Sequence, residues 1–451
     1  MEPPGFGTVL LVTLISLLVF YVTWGKLGKR RRLPPGPTPL PLLGNLLQVR
    51  NGEMAKTLME LSETYGSVYT FYFGPRPVVV FCGYEAVKEA LIDHGEDFTG
   101  RGEQPTVDRV FQGYGLMASE GERWQQLRRF SLSTLRYFGL GKRSIEERIT
   151  DEAECLVQEL RTYNGQSIDP AILLSKAVSN AISAVVFGKR FEYDDTRFHR
   201  MLDIFTETFE HMSSIWGQIQ DMIPFIMNRI PGPHQKITSL LEELNEFIAE
   251  RIKMNQETLD CRSPRDYIDC FLIKMDEEKN NPGSKFHMRK LLLTLNNLFF
   301  AGGETVATTL KHGFLVLLKH QDIQAKLHAE IDRVIGQNRR PTIEDRSKMP
   351  YMEAVIHEIQ RFSGHPYEGV NHFLNADGSF KRNNAFMPFS IGKRMCLGEG
   401  LARTELFLFL STVLQNFTLT SQTEFTEYGI TPRMTGFANV PIPYQMSFAA
   451  R

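Results

Sequence analysis

From Gly5 to Trp24 the chain carries no charge, running through Val9-Leu10-Leu11-Val12 and Leu17-Leu18-Val19-Phe20. Twenty such residues in a helix suffice to cross a bilayer. Glu2 precedes the run, and Lys26, Lys29, Arg30, Arg31 and Arg32 follow it. By the positive-inside rule this places the rest of the chain on the cytosolic side. No small-residue cleavage site follows, so the expectation is a retained anchor rather than a signal peptide. Leu33-Pro34-Pro35-Gly36-Pro37-Thr38-Pro39 then predicts a stiff, extended spacer. Val68 to Phe73 and Val78 to Phe81 are β-rich runs around Gly74-Pro75-Arg76-Pro77, the pattern of a hairpin. From Tyr84 to about Lys319 the spacing of apolar positions is mostly helical. The stripe Ile237-Leu240-Leu241-Leu244-Ile248 is too short for a coiled coil and predicts core packing. Polar, turn-rich breaks fall at 261–264 and 280–284. Met288 to about Lys319 forms one long helical pattern, and Leu397 to Phe417 another. The last thirty residues, with Pro441 and Pro443, predict short strands and turns. The expected architecture is mainly α with a smaller β region, divided into an anchor over 1–25, a basic and proline-rich linker over 26–45, and one folded body over 46–451.

Composition narrows this little. Of 451 residues, 42% are hydrophobic and 23% charged, which is ordinary for a globular chain. A formal net charge of −1 gives no global pull toward nucleic acid, and none is expected as a partner. Five cysteines (82, 155, 261, 270 and 396) form no C-x-x-C pair and leave an odd count. That argues against a disulfide framework and a structural zinc site, and for a reducing compartment.

The chemistry concentrates around Cys396, in Phe389-Ser390-Ile391-Gly392-Lys393-Arg394-Met395-Cys396-Leu397-Gly398. Gly392 permits a tight turn, and Arg394 supplies a rigid cationic fork suited to carboxylates. Cys396 stands just before a helical run, where unpaired N–H groups favour a thiolate. Within the long helical pattern, Phe299-Phe300-Ala301-Gly302-Gly303-Glu304-Thr305 places two glycines in a helix interior, at about 1 kcal/mol each relative to alanine. Close approach to a ligand or to a neighbouring helix would each offset that cost. Glu358 and Arg361 lie three apart on one helical face, a spacing usually seen in solvated surface pairs. His357-Glu358 is no zinc-protease motif, because position 361 is arginine. Trp124 and Arg128 share another helix face.

The full pattern Phe-x-x-Gly-x-Arg-x-Cys-x-Gly resembles the haem-binding loop of the cytochrome P-450 family, the thiolate-ligated haem monooxygenases. The resemblance is closest to vertebrate microsomal, family-two-like members. It spans the anchor, the Pro-Pro-Gly-Pro hinge, Phe98-Thr99-Gly100-Arg101-Gly102, Trp124-x-x-x-Arg128, the central helix, Glu358-x-x-Arg361 and Cys396. It implies haem b (iron protoporphyrin IX) held by Cys396 as metal ligand, with Phe389, Arg394, Arg101, Trp124 and Arg128 around it. It implies catalytic roles for Thr305 and Glu304 in handling dioxygen and protons, and a structural role for the Glu358–Arg361 pair beneath the cysteine loop. Val306 departs mildly from the family, which often has a second hydroxyl there. By position, Phe111, Leu116, Phe205, Phe209, Asn297, Phe300, Ala301 and Phe437 are expected to line a pocket for a lipophilic small molecule; ordinary core packing is the alternative for each phenylalanine. No nucleotide-binding glycine fingerprint is present. The resemblance therefore implies electrons from an NADPH-dependent flavoprotein reductase, with cytochrome b5 and membrane lipid as further partners. The implied location is the endoplasmic reticulum membrane, with the catalytic domain facing the cytosol. Lys393, Arg128 and Arg129 are candidates for the basic docking face.

One stretch breaks the pattern. Arg361 and Cys396 are only thirty-five positions apart, about half the separation in relatives. Several short strands and a small helix are missing by comparison, which predicts an incomplete β region and exposed strand edges. An inert haem-binding isoform is therefore one alternative to the monooxygenase. A haem-thiolate isomerase is another, against which Glu304 and Thr305 argue. The sequon Asn416-Phe417-Thr418 should carry no glycan if the body is cytosolic.

Overall fold

The computed structural model describes residues 13, 16, 33–41, 43–50, 54–139, 143–363, 369–426, 430, 439 and 441–451. All of the expected anchor except Thr13 and Ser16 lies outside them, as does Phe437. Among the described residues no helix is long and apolar enough to cross a membrane. The chain forms two compact units, one comprising Met1–Phe98 with Ile219–Arg229, the other Thr99–Gln218 with Ile230–Arg451.

In the first unit, helix α1 (Met54–Tyr65) precedes a hairpin of β1 (Val68–Phe73) and β2 (Arg76–Phe81). The strands pair antiparallel from Val68↔Phe81 to Phe73↔Arg76. β2 thus starts two residues before the apolar run, because Gly74 takes φ +58° and the turn closes on Gly74-Pro75 alone. Pro77 is tolerated because the sheet has only two strands, both of them edges. The proline-rich stretch is docked rather than free. Thr70 donates its N–H to Pro35 O (2.9 Å) and its hydroxyl to Pro34 O (2.9 Å). Prolines lack N–H donors, but their carbonyls can cap a strand.

The second unit is mainly helical. Its elements used below are α2 (Pro105–Phe111), α3 (Gly121–Tyr137), α4 (Arg143–Thr162), α5 (Ala171–Val186), α6 (Thr196–Ser213), α7 (Lys236–Glu257), α8 (Met288–Lys319), α9 (Pro350–Phe362) and α10 (Glu399–Asn416). A small antiparallel pair, β3 (Phe417–Thr420) and β4 (Ser447–Ala450), follows α10. Helix α8 runs through the middle of the core and packs on α5, α7, α9 and α10. The two glycines make that possible. A Cβ at Gly302 would come within 2.8 Å of Ile182 Cγ1, and one at Gly303 would collide with Ser179. Both contacts are to α5, so helix packing accounts for the glycine pair.

Helix α10 carries a fully buried carboxyl, Glu405, whose two oxygens have no hydrogen-bond partner among the described residues. Burial pushes its pKa well above the usual carboxylate range. The folded chain then holds this proton more tightly than the unfolded chain does, so stability is lost as pH rises above the ordinary glutamate value. Glu405→Gln, which cannot ionise, should raise the thermal midpoint more at about pH 8 than at about pH 5. Thermal melts followed by circular dichroism at both values check this; equal shifts would contradict it.

Candidate active site

The loop before α10 is held by its own backbone. Cys396 donates its N–H to Phe389 O (2.9 Å) and Met395 donates to Gly392 O (3.2 Å). Gly392 takes φ +81°, as a tight turn requires, and Ser390 takes φ +61°. Arg403 lies over the Phe389 ring at 5.0 Å, pinning it against the start of α10. Cys396 is exposed. The protein crowding its sulfur pushes the thiol pKa up, against the N–H groups of Gly398 and Glu399 and the Arg128 charge, which pull it down. The helix N-terminus thus acts in the expected sense, but desolvation of the sulfur by neighbouring protein outweighs it. A coordinated metal ion deprotonates a thiol outright, so the raised value is no barrier to ligation.

Three guanidiniums converge beside the sulfur around the buried Trp124. Arg394 lies 4.0 Å over the Trp124 ring and Arg128 5.7 Å from it. Arg394 donates through Nε to Thr99 O (2.8 Å) and through Nη2 to Ser119 O (2.7 Å). Arg128 donates to Met395 O (2.7 Å), and Arg101 donates through Nε to Met117 O (3.0 Å). Burial, followed by the charges of Arg101 and Arg128, pushes the Arg394 pKa down to about 10, with only Glu120 opposing. The remaining nitrogen, Arg394 Nη1, is buried without an acceptor among the described residues. An unsatisfied cationic donor amid like charges is unfavourable unless an anion joins it. Haem fits that requirement: its propionates would match the arginines, and Cys396 would offer a soft thiolate ligand. Sequence matching found Arg101, Trp124, Arg128 and Arg394, but not the carbonyls of Thr99 and Ser119 that aim Arg394.

Helix α8 supplies the other wall. Beyond its first turn only Ala301 and Thr305 are exposed, four residues apart on one face of an otherwise buried helix. Thr305 donates its hydroxyl to Ala301 O (2.7 Å), leaving the oxygen's lone pairs for a neighbour. Glu304 is buried and pairs with Lys311 Nζ (3.2 Å) while accepting from Thr308 Oγ1 (3.1 Å) and Ser175 Oγ (3.4 Å). None of these bonds joins its carboxylate to the Thr305 hydroxyl. Lys311 escaped the sequence reading, although seven positions is two helical turns and places it on the face of Glu304.

Of the residues expected to line a pocket, Phe205, Phe209 and Phe300 form one aromatic group. Phe209 stacks on Phe300 (4.6 Å, 13°), and Phe205 meets Phe300 edge-on at 5.1 Å and Phe299 at 5.2 Å. Asn297 Oδ1 accepts from Met117 N–H (3.0 Å). Phe111 is buried with Val107 and Leu293, Leu116 is half-buried against the main core, and Ala301 is open beside Thr305. Phe205 is wholly buried within the aromatic cluster.

On α9, Glu358 and Arg361 form a bidentate pair (2.8 and 2.7 Å) that is buried, not solvated. Glu358 also accepts from Gly369 N–H (3.2 Å), tying α9 to the segment leading to the cysteine loop. In that segment Phe373, Phe380 and Phe386 surround the His357 ring at 4.6–5.4 Å.

A cysteine at a helix start, a cluster of unpaired arginines and an exposed hydroxyl on a buried helix define a haem-thiolate enzyme. The cytochrome P450 family model matches residues 34–367 and 369–448. Cytochrome P450 2G1 of Oryctolagus cuniculus is 47% identical over 494 aligned positions covering 100% of both chains. Cytochrome P450 2A5 of Mus musculus and cytochrome P450 2A6 of Homo sapiens are 49% and 48% identical, each over 99% of both chains. The chain belongs to the cytochrome P450 family; it is a monooxygenase and its cofactor is haem.

Proposed function

We propose that the enzyme inserts one atom of O2 into lipophilic small molecules (xenobiotics, fatty acids or steroids) while the other leaves as water. Two electrons come from NADPH through a flavoprotein reductase, with cytochrome b5 as a further partner. The setting is the endoplasmic reticulum membrane, with residues 1–25 as anchor, 26–45 as linker and 46–451 as the haem-binding catalytic domain on the cytosolic side. The observation that carries this is the exposed Ala301–Thr305 stripe, adjoining an apolar, aromatic wall. Bound haem supplies the site of dioxygen activation. Cys396 is its ligand; Arg101, Arg128, Arg394 and Trp124 hold its propionates, and Phe389 covers the loop. Thr305 presents a hydroxyl that accepts from or donates to oxygen and passes a proton. Glu304, held by Lys311, Thr308 and Ser175, is the carboxylate that supplies it through water. Phe111, Leu116, Phe205, Phe209, Asn297, Phe300, Ala301 and Phe437 shape the substrate cavity. Exposed Lys393, with Arg128 and Arg129, faces the reductase.

Haem-loaded protein, reconstituted with the reductase and NADPH, should oxidise lipophilic probes. Thr305→Ala should keep the haem spectrum and NADPH consumption but lower product formation on the order of 100-fold. Product and NADPH falling together would contradict the role given to Thr305. One observation favours a second reading, an isoform with impaired or no activity. Full coverage of both chains over 494 positions, against 451 residues here, supports a missing segment. Tight haem binding without reductase-supported turnover would favour it.

A further inference from the structure

A small cavity of about 10 Å³ lies between α2, α6, α7 and α8. Its walls are largely apolar, including Phe111, Met117, Leu241 and Phe300, but Thr208 and Asn296 carry polar atoms with no hydrogen-bond partner among the described residues. Thr208 Oγ1 is one, on a side chain 1% exposed; Asn296 Oδ1 is the other, on a side chain 0% exposed. The free Thr208 hydroxyl is unusual for a helix. Thr294, Thr305 and Thr309 each donate to the carbonyl four residues back, at 2.6, 2.7 and 2.9 Å. The Asn296 amide is fixed by its other end, since Nδ2 donates to Asn245 Oδ1 (3.0 Å). The oxygen left over is an acceptor only. Orphaned buried groups cost folding free energy, so their retention points to something that meets them.

The chemistry of the pair selects the visitor. Thr208 can donate, and Asn296 Oδ1 can only accept. A carbonyl or ether oxygen would satisfy Thr208 but not Asn296, and an anion would meet the Asn296 oxygen unfavourably. A neutral hydroxyl, both donor and acceptor, satisfies both, and the volume is that of one such group. Phe111 and Phe300, which line the cavity, also belong to the expected substrate wall. We infer that this cavity is a hydroxyl-recognition subsite, which selects lipophilic alcohols or phenols. The inference rests on the monooxygenase reading above and names its substrate class.

The test uses haem-loaded, full-length protein with 1-dodecanol and its methyl ether, which differ in the ability to donate a hydrogen bond. Equilibrium dialysis should show the alcohol bound on the order of 10-fold more tightly. Thr208→Val, nearly isosteric, and separately Asn296→Leu should erase that ratio while leaving ether binding unchanged. Thr208→Val should also keep or raise the thermal midpoint, because it removes an unsatisfied buried group; a purely structural hydroxyl would lower it. Equal affinities in the wild-type protein, as when a resident water occupies the cavity, would overturn the inference, as would a ratio unchanged in both variants. If the ratio holds but neither probe is oxidised with the reductase and NADPH, the subsite stands and the proposed reaction fails.

Discussion

Cys396→Ser should abolish the thiolate-type Soret band in the reduced, carbon monoxide difference spectrum and reduce monooxygenase turnover below detection. Serine is nearly isosteric, but its hydroxyl does not ionise near neutral pH and oxygen is a harder, less electron-releasing ligand than thiolate sulfur. The fold should survive. The bonds shaping the loop are backbone ones, Cys396 N–H to Phe389 O and Met395 N–H to Gly392 O, and the side chain at 396 is exposed. The haem-free variant should therefore melt at nearly the temperature of the haem-free wild-type protein. That contrast separates loss of the ligand from loss of structure. An unchanged spectrum would remove the basis for assigning the site.

Glu358→Gln should be the most damaging change away from the sulfur. The carboxylate and Arg361 are both buried, and their side chains retain 2% and 11% exposure. Removing the charge of one partner weakens a buried bidentate ion pair, and stability should fall by more than the roughly 1 kcal/mol of a surface pair. It also weakens the acceptor for Gly369 N–H, which holds the returning chain. Denaturant unfolding should show the loss directly, and the haem-to-protein ratio of purified material should fall. A loss in Glu358→Gln below about 1 kcal/mol would place the pair among surface ion pairs of little consequence.

Several elements were legible because their signal is local. Met288–Lys319 is the span the periodicity predicts, and the hairpin appears where β-rich runs flank Gly74-Pro75. The turn at Gly392 follows from glycine's conformational freedom, and the arginines gathered near Cys396 from a dense motif. Other features depend on which distant group arrives. Gly302 and Gly303 left open whether a ligand or a helix approaches; Ile182 and Ser179 of α5 decide for a helix. Glu358 and Arg361 have the spacing of a solvated pair, and only the surrounding core buries them. The proline-rich stretch, expected to be a spacer, docks on β1 through its carbonyls.

By itself the sequence determined the helical periods, the candidate sulfur at position 396 and the charges near it, because each is written in residue type and short spacing. The tertiary structure decided which polar atoms go unpartnered. Among the described residues it leaves Arg394 Nη1, Thr208 Oγ1 and Asn296 Oδ1 buried and unmet, while Glu304 is claimed by Lys311. Hydrogen-bond satisfaction depends on groups brought together from far along the chain, and no local pattern records which of them will be left over.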